Sequence, residues 1–311
     1  WLEGPNLWAL NKLLWNPRQD VDVLLDDWYT AAVGAGAAPK LRQFYEIWEK
    51  FWRDDIRSSE WYSATNLWLS FDDSDYLNAV PLEYLEKSDQ LLAEAVALAE
   101  TPIQKERAEA LQRIWKVSRA SVLARQGDKL WNSANLQTDA DVENYLSRCA
   151  EAINIAKDRL RLMGELVDDP LFGHAIYRTT SSSDLGDDWG TRALWALLPS
   201  VNTNEKVRVY LESLANDSQG AEEILGYRAS YDSQIPMRHK SAEIAKLVLA
   251  AATGQGKPVL QNGSFESGME NWSEGPYNVT SKEMADGKSS LEVNAAEGGS
   301  LTQFVPFEAG S

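Results

Sequence analysis

Cysteine is almost missing from this chain. Cys149 is the one cysteine among 311 residues, so no intrachain disulfide can form. Histidine is scarce as well: His174 and His239 are the two present. Two histidines and one cysteine do not make a zinc-ligand set. Basic residues are few beside acidic ones, 30 Lys and Arg against 47 Asp and Glu, for a net charge of −17. No run of Lys and Arg is long enough to follow a phosphate backbone, which argues against nucleic acid, and the same shortage argues against anionic membrane surfaces. No apolar run reaches the roughly 20 residues that cross a bilayer. The chain opens at Trp1 without Met or a signal sequence and stops at Gly310-Ser311 inside what reads as a domain. It is therefore expected to be an internal piece of a longer protein, and the missing leader does not place it in the cytoplasm.

Tryptophan, by contrast, is abundant. Eight of the 13 (Trp1, Trp8, Trp15, Trp28, Trp48, Trp52, Trp61 and Trp68) fall in the first 68 residues. Such a concentration is either a dense core or a sugar-facing surface. Helical spacing favours core for those in the first three helices and leaves Trp61 and Trp68 as the surface candidates. A first helix is expected over 5–15, with Leu7, Trp8, Leu10, Leu14 and Trp15 making apolar contacts. Pro17 stops it near Trp15, and Asp20 caps the next helix, Val21–Ala32, which Gly34 ends. Trp15 and Trp28 are both expected to be mostly buried at this corner. Pro39 opens a third helix with the stripe Leu41, Phe44, Tyr45, Trp48, Phe51 and Trp52. Residues 58–80 read as a long loop. Pro81 opens a further helix. Thr101-Pro102-Ile103-Gln104 combines a cap, a first-turn proline and a capping-box Gln ahead of a helix to about Trp131. Thr138 caps another, whose stripe includes Cys149, a buried inert thiol. Three long helices joined by short turns predict an antiparallel bundle. Shorter helices follow near 190–198, 204–215 and 240–252.

After the small-residue linker around Gly254-Gln255-Gly256 the pattern changes to period two. Ser289–Asn294 alternates around Leu291 and Val293, and Leu301–Phe307 alternates likewise. The fold expectation is mainly α: an all-helical bundle domain over 1–256, followed at 257–311 by the N-terminal part of a truncated β-sandwich of jelly-roll type. A complete sandwich needs on the order of 100 residues.

Paired carboxylates are frequent: Asp26-Asp27, Asp54-Asp55, Asp72-Asp73 and Asp187-Asp188. Glycoside hydrolysis needs two carboxyls facing each other across a sugar, whereas neighbours on a helix point about 100° apart. These pairs read as caps and solvated faces, and no catalytic residue is assigned. Asp187-Asp188-Trp189 precedes a helix. It either presents an indole face and a carboxylate to a sugar, or Asp188 caps the helix and Trp189 staples it. His174 reads as a hydrogen-bonded structural histidine and His239 as a solvated one at the start of the last helix.

Two resemblances add to this. Leu13-Leu14-Trp15-Asn16-Pro17, followed by Asp20–Tyr29 and the Gly34 stop, resembles the segment just after the catalytic barrel in alpha-glucuronidases. It also resembles that segment in glycoside-hydrolase-like bacterial proteins that carry a domain of unknown function. The likeness is good over about 1–60 and looser to about 130. It implies a helical region that supports an upstream catalytic barrel in a secreted, polysaccharide-degrading hydrolase, with homodimerisation left open. Whether the chain itself is part of an enzyme stays uncertain, because the barrel would lie outside it.

Asn262-Gly263-Ser264-Phe265-Glu266, Trp272, Gly287–Val293 and Gln303–Val305 resemble, in order and spacing, jelly-roll carbohydrate-binding modules of families four, nine and twenty-two. That likeness implies polysaccharide or oligosaccharide as partner, with Trp272 and Tyr277 as sugar contacts beside the candidate Trp189. It also implies a structural calcium held by the side chains of Glu266 and Asp286 and the carbonyls of Ser264 and Ser289. The competing readings are a stand-alone helical scaffold with a sandwich appendage and no hydrolase activity, and an enzyme with its active site among the helices. Uneven helix lengths count against the second.

Overall fold

The computed structural model describes residues 4–64, 74–134, 136–166, 169–173, 186–217, 224–230, 233–237, 239–254, 277–280 and 290–293. It is mainly helical and divides into two units, 1–252 and 253–311.

The first unit begins with α1 (Gly4–Trp15), α2 (Val21–Val33) and α3 (Ala38–Arg53). Local chemistry sets their ends. The Asp20 carboxylate accepts from the backbone N–H groups of Asp22 and Val23, at 2.9 and 3.3 Å, two donors that a helix start leaves orphaned. Gly34 has φ +91°, and its N–H closes α2 on the carbonyl of Thr30. A Cβ there would lie 2.8 Å from the end of the Gln104 side chain, but it is the positive φ that favours glycine.

On α3, Leu41, Phe44 and Phe51 are buried at helical spacing, with Trp48 packed beside them. The stretch expected as a loop after it holds the short α4 (Glu60–Ala64) and a 3-10 turn at Ser74–Ala79. Ser59 Oγ accepts from the N–H of Tyr62 at 3.1 Å, which supplies the start that a periodicity reading misses.

The next helices are α5 (Leu82–Leu98), α6 (Pro102–Gly127) and α7 (Asp139–Leu166). With 26 and 28 residues, α6 and α7 run about 39 and 42 Å. Both starts are reciprocally capped: Thr101 with Gln104, and Thr138 with Asp141. α6 packs between α5 and α7. α8 (Arg192–Trp195), α9 (Glu205–Ala215) and α10 (Ser241–Ala252) complete the unit, with an antiparallel hairpin, β1 (Ile224–Ser230) and β2 (Ser233–Met237), before α10.

Two large apolar cores are formed among the described residues. Helices α2 to α6 enclose Leu41, Phe44, Phe51, Leu91, Leu92 and Trp115. Helices α7 to α10 enclose Cys149, Ile153, Leu194, Leu211 and Val248. Burial pushes the Cys149 thiol up to about 12, so it stays protonated and inert.

The second unit contributes one described hairpin, β3 (Tyr277–Thr280) against β4 (Ser290–Val293), with Val279 opposite Leu291. The expected strand around Leu291 and Val293 is therefore present. Two strands are not a sandwich, and the rest of the expected jelly roll lies outside the described residues.

Candidate functional site

Where the two cores meet, the packing turns polar. Gly127 of α6 and Ala152 of α7 come so close that a Cβ on Gly127 would sit 3.0 Å from that of Ala152. Beside this contact runs the loop Gly186-Asp187-Asp188-Trp189-Gly190-Thr191. Gly186 and Gly190 have φ of +58° and +79°, and a Cβ on Gly190 would lie 2.9 Å from the carbonyl oxygen of Ala152. Both glycines are thus conformationally and sterically required. They turn the Trp189 indole inward onto Ala124 and Ala156.

Trp189 is the residue expected to offer a face to sugar. It is 6% exposed, and the Arg159 guanidinium lies 4.3 Å from its ring centroid, with Arg125 at 5.9 Å. A buried indole stacked on arginine presents no surface to a carbohydrate, so that assignment is corrected. The alternative fails in part too: Asp188 does not cap α8 with its side chain but accepts from Thr191 through its backbone carbonyl.

Charges surround the indole. Arg159 is 5% exposed, donates from Nε to Ser121 Oγ at 2.8 Å, and is lowered to about 10 by burial, so it remains cationic at neutral pH. Arg125 bridges Asp75 and Asp128, at 2.5 and 2.7 Å. Asp128 also accepts from the N–H of Gly190 at 2.7 Å. Its pKa is nevertheless raised, because burial outweighs that bond and Arg125. Asp187 is likewise raised by burial, opposed by Lys240 3.2 Å away.

His239 is corrected from solvated to buried, at 4% exposure. The N–H of Ser241 donates to its Nδ1 at 3.3 Å, which leaves Nε2 to carry the proton and donate to the Trp189 carbonyl at 2.9 Å. Burial holds the ring down at about 4, so it is neutral at pH 7. One signal of this knot is legible in the chain: Arg159 stands in the α7 stripe between Ala156, Leu160 and Met163, where a charge is out of place.

Of the other paired carboxylates, Asp26, Asp54 and Asp55 have structural partners. Asp26 pairs with Arg42, and Asp54 with Arg53. Asp55 accepts from Lys50 and Tyr84, each at 2.6 Å, and these bonds hold its pKa low. Asp72 and Asp73 lie outside the described residues. A groove of about 610 Å³ runs between α6 and α7, with Glu151 and Asp158 on its α7 wall and Arg119 on α6. The two carboxylates share one wall, seven residues or about 10.5 Å of helix apart, and do not face each other across a sugar. Among the described residues no group of three or more His, Cys, Asp or Glu is placed to hold a metal. No helix there is long and apolar enough to cross a membrane.

Expectations for the surface also change. Trp61 is 4% exposed, packed edge-on to Tyr76, and so is not a surface residue. Trp68 and His174 lie outside the described residues, as do the calcium candidates Ser264, Glu266, Asp286 and Ser289 and the sugar candidate Trp272. Tyr277 opens β3, its backbone opposite Val293.

The largest departure is on α1. Pro5 and Ala9, not Leu7, Leu10 and Leu14, face inward, and Gly4 sits against the Trp28 ring. Leu7, Leu10, Leu14 and Trp15 are left 58, 53, 75 and 92% exposed, joined by Val21 and Val23 at 46 and 57%. Trp28 is only half-buried, edge-on to Tyr29 and Tyr45. On α1, Leu7, Leu10 and Leu14 share one face at helical spacing, opposite Pro5 and Ala9.

Residues 1–46 match a family model described as a domain of unknown function, DUF4838. The match fits a domain of unknown function in bacterial glycoside-hydrolase-like proteins. No curated protein matches the chain, and no solved structure does.

Proposed function

We propose that this chain is the non-catalytic helical portion of a secreted bacterial glycoside hydrolase acting on polysaccharide, with α1 as the seat of the neighbouring catalytic barrel. One observation carries the reading. The exposed apolar ridge of Leu7, Leu10, Leu14 and Trp15 along α1 lies wholly inside the 46 residues that match the family model. Covering such side chains contributes roughly 1.5–3 kcal/mol each, enough for four of them to hold a domain in place. The resemblance of the Trp15-Asn16-Pro17 corner supplies the barrel as occupant. Residues 257–311 then belong to a carbohydrate-binding sandwich, with Trp272 and Tyr277 on sugar and a structural calcium on Glu266, Asp286 and the carbonyls of Ser264 and Ser289.

The test has two arms. Purified 1–311 should release no product from glucuronoxylan or aryl-glycosides above a buffer control, and turnover would refute the non-catalytic reading. In the full hydrolase, Leu14→Asp with Trp15→Asp should separate the melting of barrel and helical domain, while leaving the melting of 1–311 unchanged. Unaltered joint melting would remove α1 as the seat.

The reading as a stand-alone scaffold shares the ridge but requires another apolar partner. The reading frame upstream of Trp1 separates the two: several hundred residues of alternating strand and helix belong to the hydrolase alone.

A further inference from the structure

The helical unit holds α1 by a small surface. Pro5 and Ala9 are the buried residues of this helix, Trp8 and Leu13 are half-buried, and it packs chiefly on α2. Its polar contacts are local. Gln19 donates from Nε2 to the carbonyl of Lys12 at 3.0 Å, which satisfies one carbonyl of the last turn, and the Lys12 ammonium lies over the Trp8 ring of the same helix. Among the described residues no side chain of α1 hydrogen-bonds or pairs with another helix.

The helix has little of its own to fall back on. A stretch of 12 residues is marginal as an isolated helix in water. No acidic residue stands in its first turn to meet the helix dipole, and Asn6 and Asn11 are weak helix formers. Its order therefore depends on burial, yet its large apolar side chains Leu7, Leu10, Leu14 and Trp15 are left in water. On α3, by contrast, Leu41 and Phe44 are completely buried in the first core.

We propose that α1 is a docking-ordered helix: in 1–311 it opens independently of the helices it leads into, and it becomes stably helical when the barrel covers its outer face. This rests on the barrel being the occupant of the ridge, and it adds how that contact couples the two domains. Uncovered, α1 unfolds locally while the unit behind it keeps its fold. Covered, it is held from both sides, by the barrel on its leucines and by the Trp28 ring against Gly4. Burying four large apolar side chains should raise the protection of α1 by at least about a hundredfold, after the ordering of one short helix is offset.

The experiment is native-state hydrogen exchange at neutral pH on 1–311 and on the full hydrolase. In 1–311 the α1 amides should exchange within about tenfold of free-peptide rates, while those of α3 and α6 are protected by more than roughly a thousandfold. In the full hydrolase the protection of α1 should rise by at least about a hundredfold, and Leu14→Asp with Trp15→Asp should return it to its level in 1–311. Asn11→Pro breaks the helix at an exposed position and should leave the melting of 1–311 unchanged. Protection of α1 in 1–311 equal to that of α3, or a lowered melting of 1–311 by Asn11→Pro, overturns the docking-ordered helix and leaves the barrel seat standing. Low protection of α1 in both proteins overturns the two together, because nothing then covers the ridge.

Discussion

Trp115 of α6 is 2% exposed, edge-on to Phe44 at 5.5 Å and 5.3 Å from Trp48, and its indole N–H donates to Asp89 at 2.6 Å. A fully buried indole removes about 150–250 Å² from water, worth about 4–6 kcal/mol at 25 cal/mol per Å². Truncations of this size cost about 3–5 kcal/mol in practice. Trp115→Ala should therefore lower stability by about 4 kcal/mol and the melting temperature of the helical unit by roughly 8–16 °C. Trp115→Phe should cost about 1–2 kcal/mol. It keeps the ring contacts and loses one bond, and Asp89 retains Arg119 at 2.8 Å. Trp15→Ala, by contrast, should stay within about 0.5 kcal/mol in 1–311, because its ring is 92% exposed. Urea unfolding followed by far-ultraviolet circular dichroism measures all three. A loss above about 1 kcal/mol at Trp15, or below about 1.5 kcal/mol for Trp115→Ala, would refute the packing described.

Three further substitutions probe single devices. Ser88→Ala leaves the Trp48 indole N–H without its acceptor, now 3.2 Å away at a fully buried hydroxyl, and should cost about 1–3 kcal/mol in the same urea series. Thr101→Ala removes half of the capping box of α6 and should cost about 1 kcal/mol, with helix content retained by circular dichroism. Gly190→Ala meets both a positive φ of +79° and the Ala152 carbonyl, so a loss of at least about 1–3 kcal/mol is expected; a neutral result in thermal melts would mean that the loop takes another course.

The sequence by itself determined the parts of this protein that rest on near neighbours. The starts at Asp20, Pro39, Thr101 and Thr138, the stop at Gly34 and the buried stripe of α3 were legible, because caps and periodicity act within a few residues. The burial of Cys149 followed from the same logic. Tertiary structure alone decided which apolar stripes find a partner. Leu7, Leu10 and Leu14 have the spacing of a core face, yet they stay outside while Pro5 and Ala9, on the opposite face of α1, are the residues packed inward. Trp61, Trp189 and His239 went the other way, from expected surface to interior. Their burial depends on elements distant in sequence: the Tyr76 ring, Arg159 of α7, and the carbonyl of a loop fifty residues before His239. Exposure is a property of what comes to lie against a residue, and for polar side chains it is settled only when a hydrogen-bond partner arrives to offset the loss of water.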